Sequence, residues 1–304
     1  MSENDASPAR RSGFVSVVGR PNVGKSTLVN RLAGQKISIV SDKPQTTRNR
    51  ILAVVNRPQG QLVLIDTPGI HKPSHRMNER MVDTAVRSLS QADVVLWLVD
   101  VTQEYGPGDR HVRDVLKASR KTVVLGINKI DAVPKQSILP VIERYRHLLE
   151  LAEVVPLSAL AGENVELVGE RVLALLPEGE PLYPDDFLTD QPERFFVAEL
   201  IRERILVLTR EEIPYATGVV IESFKEETGL TRIEATILVE REGQKGILIG
   251  KGGAMLKRIG SDARAGIEAF LGAKVYLGLF VKLRQNWRED QRILEQMGLG
   301  KDGG

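Results

Sequence analysis

Cysteine is absent from the 304 residues, which excludes disulfides and thiolate metal sites and suits a reducing cytosol. Histidine is scarce: His71, His75, His111 and His147 leave little from which to build a structural zinc site. No apolar run approaches the roughly 18 residues that a membrane-spanning helix needs. The opening MSENDASPARRSG, residues 1–13, lacks the apolar segment of a secretory signal and reads as a flexible arm. A formal net charge of +2 says little until it is followed along the chain.

What is present changes character once. From Phe14 to Leu176, short apolar runs alternate with stretches of helical periodicity. FVSVV (14–18), RILAVV (50–55), QLVLID (61–66), DVVLWLVD (93–100), TVVLGIN (122–128) and EVVPL (153–157) read as strands. The near-continuous apolar ones suit strands buried on both faces, so the pattern predicts an α/β domain with a mostly parallel sheet over 14–176. PEGEPLYPDD, rich in proline, glycine and acid, opens a connection over 177–190. A different order follows over 191–297: a helix, two alternating strands around Gly229, a glycine-dense turn running into helix, a third strand and a last helix. Residues 298–304 read as a flexible tail. The charge also changes sign, from −9 over 178–240 to +6 over 241–292. A basic segment built on glycine turns is a candidate surface for an anionic polymer, although solvated faces alone can produce such a split.

The first chemical motif is GRPNVGKST. Gly19, Gly24, Lys25 and Ser26 fit G-x-x-x-x-G-K-[ST] between a predicted strand and a predicted helix. Glycines let the backbone wrap phosphate oxygens, and the helix start adds partial positive charge. Lys25 would reach the β- and γ-phosphates and Ser26 would place its hydroxyl on Mg²⁺. Val23 and Thr27 complete the cradle. Asp66, ending QLVLID, would hold water of the Mg²⁺ shell, and the Gly69 N–H in the following Thr-Pro-Gly would face the γ-phosphate. Thr46 or Thr47 would supply a second hydroxyl to the metal; composition does not separate them.

Asn128-Lys129-Ile130-Asp131 ends another buried run. A carboxylate at Asp131 can accept both guanine N1–H and the exocyclic amine, which adenine does not match. Asn128 would hold guanine O6 or the loop itself, Lys129 would lay its stem over the ring, and Ser158-Ala159 would offer a backbone N–H to O6. N-K-x-D by itself is a weak signal; placed after a phosphate loop and an Asp-x-x-Gly, in that order, the set points to a guanine nucleotide site, GTP or GDP with Mg²⁺.

The wording GRPNVGKST, QTTR, DTPG, NKID and SAL resembles the Era, MnmE and Der group of translation-factor-class GTPases. With its second domain the chain from Phe14 to about Met297 resembles the bacterial Era GTPases. The resemblance implies a P-loop GTPase domain, with Thr47 as the metal-contacting threonine and Gln35–Arg50 and Gly69–Arg87 as switch segments. Lys25, Thr47, Gly69 and Asn22 would then carry catalysis. Asn22 matches a loop asparagine that in some relatives holds a K⁺ ion over the phosphates. Ile70 stands where small regulatory GTPases have a water-positioning glutamine, so hydrolysis must be organised otherwise. His71 and His75 are poor candidates for a base.

Gly250-Lys251-Gly252-Gly253 resembles the G-x-x-G clamp of a KH domain, and the element order α-β-β-α-α-β resembles the type II arrangement. Such a clamp sets bare backbone and a helix start against phosphates beside an apolar groove for about four unpaired bases. Ile247 and Ile249 would line that groove or the adjoining core. Lys251, Lys257, Arg258, Lys282 and Arg284 are phosphate candidates, and Arg264 joins them if its helix face is exposed. The resemblance implies single-stranded RNA near the 3′ end of small-subunit ribosomal RNA, a part in small-subunit assembly, a cytoplasmic monomer with a peripheral contact at the inner membrane face, and no DNA. The competing expectation is a C-terminal domain that docks proteins or dimerises.

Overall fold

A computed structural model describes residues 10–70 and 76–299. His71, His75, most of the N-terminal arm and the last five residues lie outside them. Among the described residues no helix is long and apolar enough to cross a membrane. The chain forms two compact units, the first of residues 10–38, 47–70 and 81–190, the second of 39–46, 76–80 and 191–299.

The elements up to Ala174 run β1 (Arg11–Val18), α1 (Lys25–Ala33), β2 (Ile51–Arg57), β3 (Gly60–Asp66), α2 (Arg76–Gln91), β4 (Val94–Asp100), α3 (Pro107–Ser119), β5 (Thr122–Asn128), α4 (Ile138–Arg146), β6 (Glu153–Pro156) and α5 (Val165–Ala174). Six strands make one sheet in the order β2-β3-β1-β4-β5-β6. All neighbours are parallel except the β2–β3 hairpin. Strands β1, β3, β4 and β5 are central and covered on both faces, which is why their inner stretches, FVSVV, LVLI, VVLWLV and VVLGI, are mostly apolar. One face packs Trp97 edge-on against Tyr145, ring centroids 5.2 Å apart, among Val95, Val99, Leu125 and Ile127.

One boundary in this unit differs from the sequence reading. Strand β1 begins at Arg11 rather than Phe14, because Arg11–Gly13 pair with Gly60–Leu62 through backbone bonds that apolarity does not report. Residues 177–190 form an ordered strap on the edge strand β2 and its neighbour. Gln61 accepts the N–H groups of Leu182 and Tyr183 at 2.8 and 2.9 Å, and Val54 N–H donates to Leu188 O at 2.9 Å. Tyr183 and Phe187 stack at 4.7 Å and pack on Leu52, Val54 and Val63. Covering an edge strand in this way removes a row of unpaired backbone groups.

The second unit contains α6 (Glu193–Leu208), α7 (Ile213–Ala216), β7 (Gly218–Glu227), β8 (Leu230–Val239), α8 (Glu242–Ile249), α9 (Ala254–Leu271), β9 (Val275–Leu283) and α10 (Gln291–Gln296). β7 and β8 form an antiparallel hairpin with a bulge between Ile221 and Ser223, and β9 adds in parallel to β8. Helices α6, α8 and α9 supply Val197, Ile201, Leu248, Ile259 and Ala263 to a core shared with Ile233, Ala235 and Ile237 of β8. The apolar pattern after Asn286 predicts one helix, but a single 3-10 turn over Trp287–Glu289 precedes α10. Asp290 breaks the run: its side chain caps α10 by accepting from Arg292 N–H and Ile293 N–H. The tail boundary expected at 298 also moves, since Leu299 is buried and its N–H bonds Leu294 O at 2.7 Å.

Candidate functional site

The phosphate loop leaves β1 at Val18 and enters α1 at Lys25. Gly24 caps α1 at φ 100°, a conformation that L side chains rarely adopt, and a Cβ there would stand 2.2 Å from Asn128 Nδ2. Glycine is therefore required both by the turn and by the close neighbour. Lys25 is buried and donates to Arg20 O at 2.9 Å and Gly19 O at 3.4 Å. Burial lowers its pKa from 10.5 to about 8, with the Asp66 carboxylate opposing the shift. Arg20, within the loop, is tied to Asp109 of α3 at 2.7 Å. Asn22 adopts φ 64°.

Asp66 ends β3 directly opposite Val17 of β1 and is fully buried. Burial raises its pKa, against the pull of Ser26, Lys25 and Ser38. Neither carboxylate oxygen has a hydrogen-bond partner of good geometry among the described residues. A buried carboxylate with both oxygens available suits a cation or the water bound to one. Ser26 Oγ and Thr47 Oγ1 lie 2.7 Å apart, so the two hydroxyls assigned to the metal are already together, whereas Thr46 donates to Lys43 O at 2.6 Å. Gly69 approaches the phosphate loop so closely that a Cβ would lie 2.7 Å from Pro21 N. Ile70 is fully buried and its N–H bonds Gly19 O at 3.2 Å. The position where a glutamine would act is thus a core position.

The residues expected to hold the base lie on the loops that follow β5 and β6. Asn128 ends β5; its amide donates to Val23 O at 2.7 Å and its carbonyl accepts Ala159 N–H at 2.9 Å. Of the two roles open to it, the geometry shows the loop-holding one. The Ala159 N–H is accordingly engaged by Asn128, and reaching O6 as well would require a shared bond. Ser158 is buried and caps its own turn by accepting Ala161 N–H at 3.0 Å. Lys129 takes φ 68°, and Asp131 opens outward on a 3-10 turn over Ile130–Ala132. Motif spacing does not single out two further contributors. Arg31, in the last turn of α1, holds the carbonyls of Ala159 and Leu160 at 3.2 and 2.5 Å. Asp100 ends β4 and binds Lys129 Nζ at 2.6 Å. Asp100 carries the same signal as Asp66, a carboxylate closing an apolar strand.

In the second unit, the GKGG turn joins α8 to α9. Gly250 closes α8 at φ 71°, where a Cβ would meet Met255 Cβ at 2.8 Å, and Gly253 caps α9 at φ 81°. Helix α9 has 18 residues and no acid in its first turn, so its positive end is uncompensated. Lys251 and Gly252 are exposed, as are Lys257, Arg264 and Lys282. Ile247 is 51% exposed beside the turn, Ile249 is half-buried, and Leu248 between them is the core residue. Arg258 reaches Asp262 only at 4.0 Å, whereas Arg284 is engaged by Asp290 at 2.9 Å.

Comparison with known proteins agrees with both halves. Residues 14–129 match the family model described as a 50S ribosome-binding GTPase, and residues 212–288 match the KH domain model. GTPase Era of Geobacter metallireducens is 52% identical over 95% of this chain and 97% of its own, and GTPase Era of Staphylococcus haemolyticus is 49% identical over 96% and 98%. The chain belongs to the Era family of GTPases. As an Era-family member it binds guanine nucleotides and hydrolyses GTP to GDP and phosphate, on a P-loop domain followed by a KH domain. A crystal structure of a single-substitution variant of Aquifex aeolicus Era, bound to GDP and AlF₄⁻, superposes with a TM-score of 0.92 at 42% identity, covering 95% of this chain and 99% of that one. A structure of Era with MgGDPNP and nucleotides 1506–1542 of 16S ribosomal RNA superposes at 0.93, also at 42% identity, covering 96% and 99%.

Proposed function

We propose that this GTPase grips a single-stranded segment near the 3′ end of the small-subunit ribosomal RNA and uses its nucleotide cycle to time a step in assembly of the small ribosomal subunit. The observation that carries the reading is the GKGG turn at the bare start of α9, in the same chain as a GTPase domain. The related Era bound to 16S ribosomal RNA supports it. Gly250 to Gly253 set backbone against phosphate, Lys251 and Lys257 add charge, and Ile247 gives an unpaired base an apolar contact. Arg258 and Lys282 extend the basic surface, while Arg284 contributes less because Asp290 holds it.

In the nucleotide site, Gly19 to Thr27 cradle the phosphates and Asp131 selects guanine. Mg²⁺, when bound, neutralises charge on the phosphate oxygens. Ser26 and Thr47 would hold it directly and Asp66 through water, a donor set that fits the available carboxylate and the paired hydroxyls. Intrinsic hydrolysis is slow, because Ile70 offers no group to orient water. A K⁺ ion at Asn22 would stabilise charge developing on the phosphates in place of an arginine. Turnover in K⁺ buffer is then expected to exceed that in Na⁺ buffer by about tenfold, and equal turnover would remove the ion from the account. The protein works as a monomer in the cytoplasm. A peripheral contact with the inner membrane face would rest on Lys282, since Asp290 engages Arg284.

The RNA reading is tested by titrating a short single-stranded RNA of the small-subunit 3′ sequence. Affinity is expected to fall steeply with salt and to drop at least about tenfold when Lys251 and Gly252 are both replaced by Asp, since each change places negative charge against phosphate. Unchanged binding in that variant would contradict the clamp and favour a protein-docking role for the domain.

A further inference from the structure

Most of the base pocket is described by the motif residues, but the Lys129 stem needs something to hold it. Lysine carries considerable rotamer freedom, and a stem that must lie flat over a ring loses that freedom on binding unless the protein has already removed it. Here it has been removed. Lys129 Nζ meets Asp100 Oδ2 at 2.6 Å, and the Asp100 side chain is only 7% exposed. The other oxygen, Oδ1, accepts the Thr102 N–H at 2.9 Å and the Thr102 hydroxyl at 2.6 Å. Three donors thus fix one carboxylate. Its backbone is fixed as well, since Asp100 stands in register with Asn128 across the parallel β4–β5 pair and Val101 N–H bonds Asn128 O at 3.0 Å.

We propose that Asp100 is a positioning residue for guanine recognition, acting through Lys129. The left-handed backbone at Lys129, φ 68°, turns its side chain at the end of β5, and Asp100 anchors the far end of that side chain at the end of the neighbouring strand. The methylene stem is held at both ends, by the backbone and by the ion pair, and would offer an apolar rail to a purine face. An exposed ion pair would contribute little, but the side chain of this acid is buried and also bonded by Thr102, so the pair is preorganised. Asp100 touches neither phosphate nor metal in this role. The inference rests on the reading of Lys129 as a base contact.

The test is a double-mutant cycle with GDP and GTP affinities measured by titration on the full chain. Asp100→Asn keeps the shape and can still accept from Thr102, but loses the charge. It is expected to weaken GDP and GTP equally, by about tenfold, with the loss in turnover falling on KM rather than kcat. Asp100→Glu is expected to recover part of it. Lys129→Ala is expected to lose at least as much, and adding Asp100→Asn to Lys129→Ala to lose little more. A melting curve for each variant keeps folding separate from binding. Wild-type affinity in Asp100→Asn, or an equal loss with and without Lys129, would make Asp100 a strand-end prop and overturn the inference while leaving the guanine site standing. If Lys129→Ala binds like wild type, the stem has no role and the inference falls with it. Absence of any guanine preference in the wild type would instead overturn the parent reading.

Discussion

Replacing Asp131 by Asn is expected to turn a guanine-selective protein into one that prefers xanthine nucleotides. Asp131 presents an exposed carboxylate on the 3-10 turn after β5. Guanine offers two donors side by side, N1–H and the exocyclic amine, and a carboxylate accepts both. An asparagine accepts one and points its own amide at the other, leaving two donors opposed. Xanthine replaces the amine by a carbonyl, which that amide can satisfy. A site built to hydrogen-bond a group discriminates strongly against the analogue that lacks it, so GDP affinity is expected to fall by roughly 10²–10³-fold and XDP to gain. Competition titration with the two diphosphates checks this. A variant that still preferred GDP would place base selection elsewhere.

Replacing Lys25 by Ala is expected to lower GTP hydrolysis by about 10³-fold and triphosphate affinity by about 10²-fold. The cause is visible without nucleotide. Lys25 is held by two loop carbonyls at a buried position, and burial has lowered its pKa to about 8. An ammonium already stripped of water needs no further desolvation when phosphate arrives, which is what preorganisation means for a charge. Its loss leaves the phosphate charge facing backbone carbonyls. Lysine to arginine is not expected to rescue, because a planar fork does not fit a space shaped by Gly19 O and Arg20 O around one nitrogen. Single-turnover hydrolysis and nucleotide titration separate the two effects. Wild-type turnover in Lys25→Ala would contradict the assignment of the loop.

Legibility in the sequence followed the range of the interaction. Strands such as TVVLGIN and the phosphate loop are written locally, in apolar runs and fixed glycine spacing, and both stand where the sequence places them. The start of β1 is less legible, since Arg11, Ser12 and Gly13 are held by backbone pairing rather than burial of apolar side chains. Helix α8 contains Gly243 and Gly246, poor helix formers, and is readable only through the resemblance to KH domains. Within the site, the motif residues could be named from spacing, but their supports could not. Arg31 meets a loop 128 residues away and Asp100 a lysine 29 residues away. Only the fold brings such partners together. Asn128 shows the same limit from the other side: its type marks the site, while its choice between base and loop is decided by where Val23 and Ala159 come to rest.

The most direct test is an equilibrium titration of the purified wild-type protein with GTP and ATP, each with Mg²⁺ and with a chelator. A phosphate cradle at Gly19–Thr27 with guanine selected by Asp131 predicts at least about 100-fold tighter binding of GTP than ATP, and tighter GTP binding when Mg²⁺ is present. Equal affinity for the two triphosphates, indifferent to the metal, would contradict it.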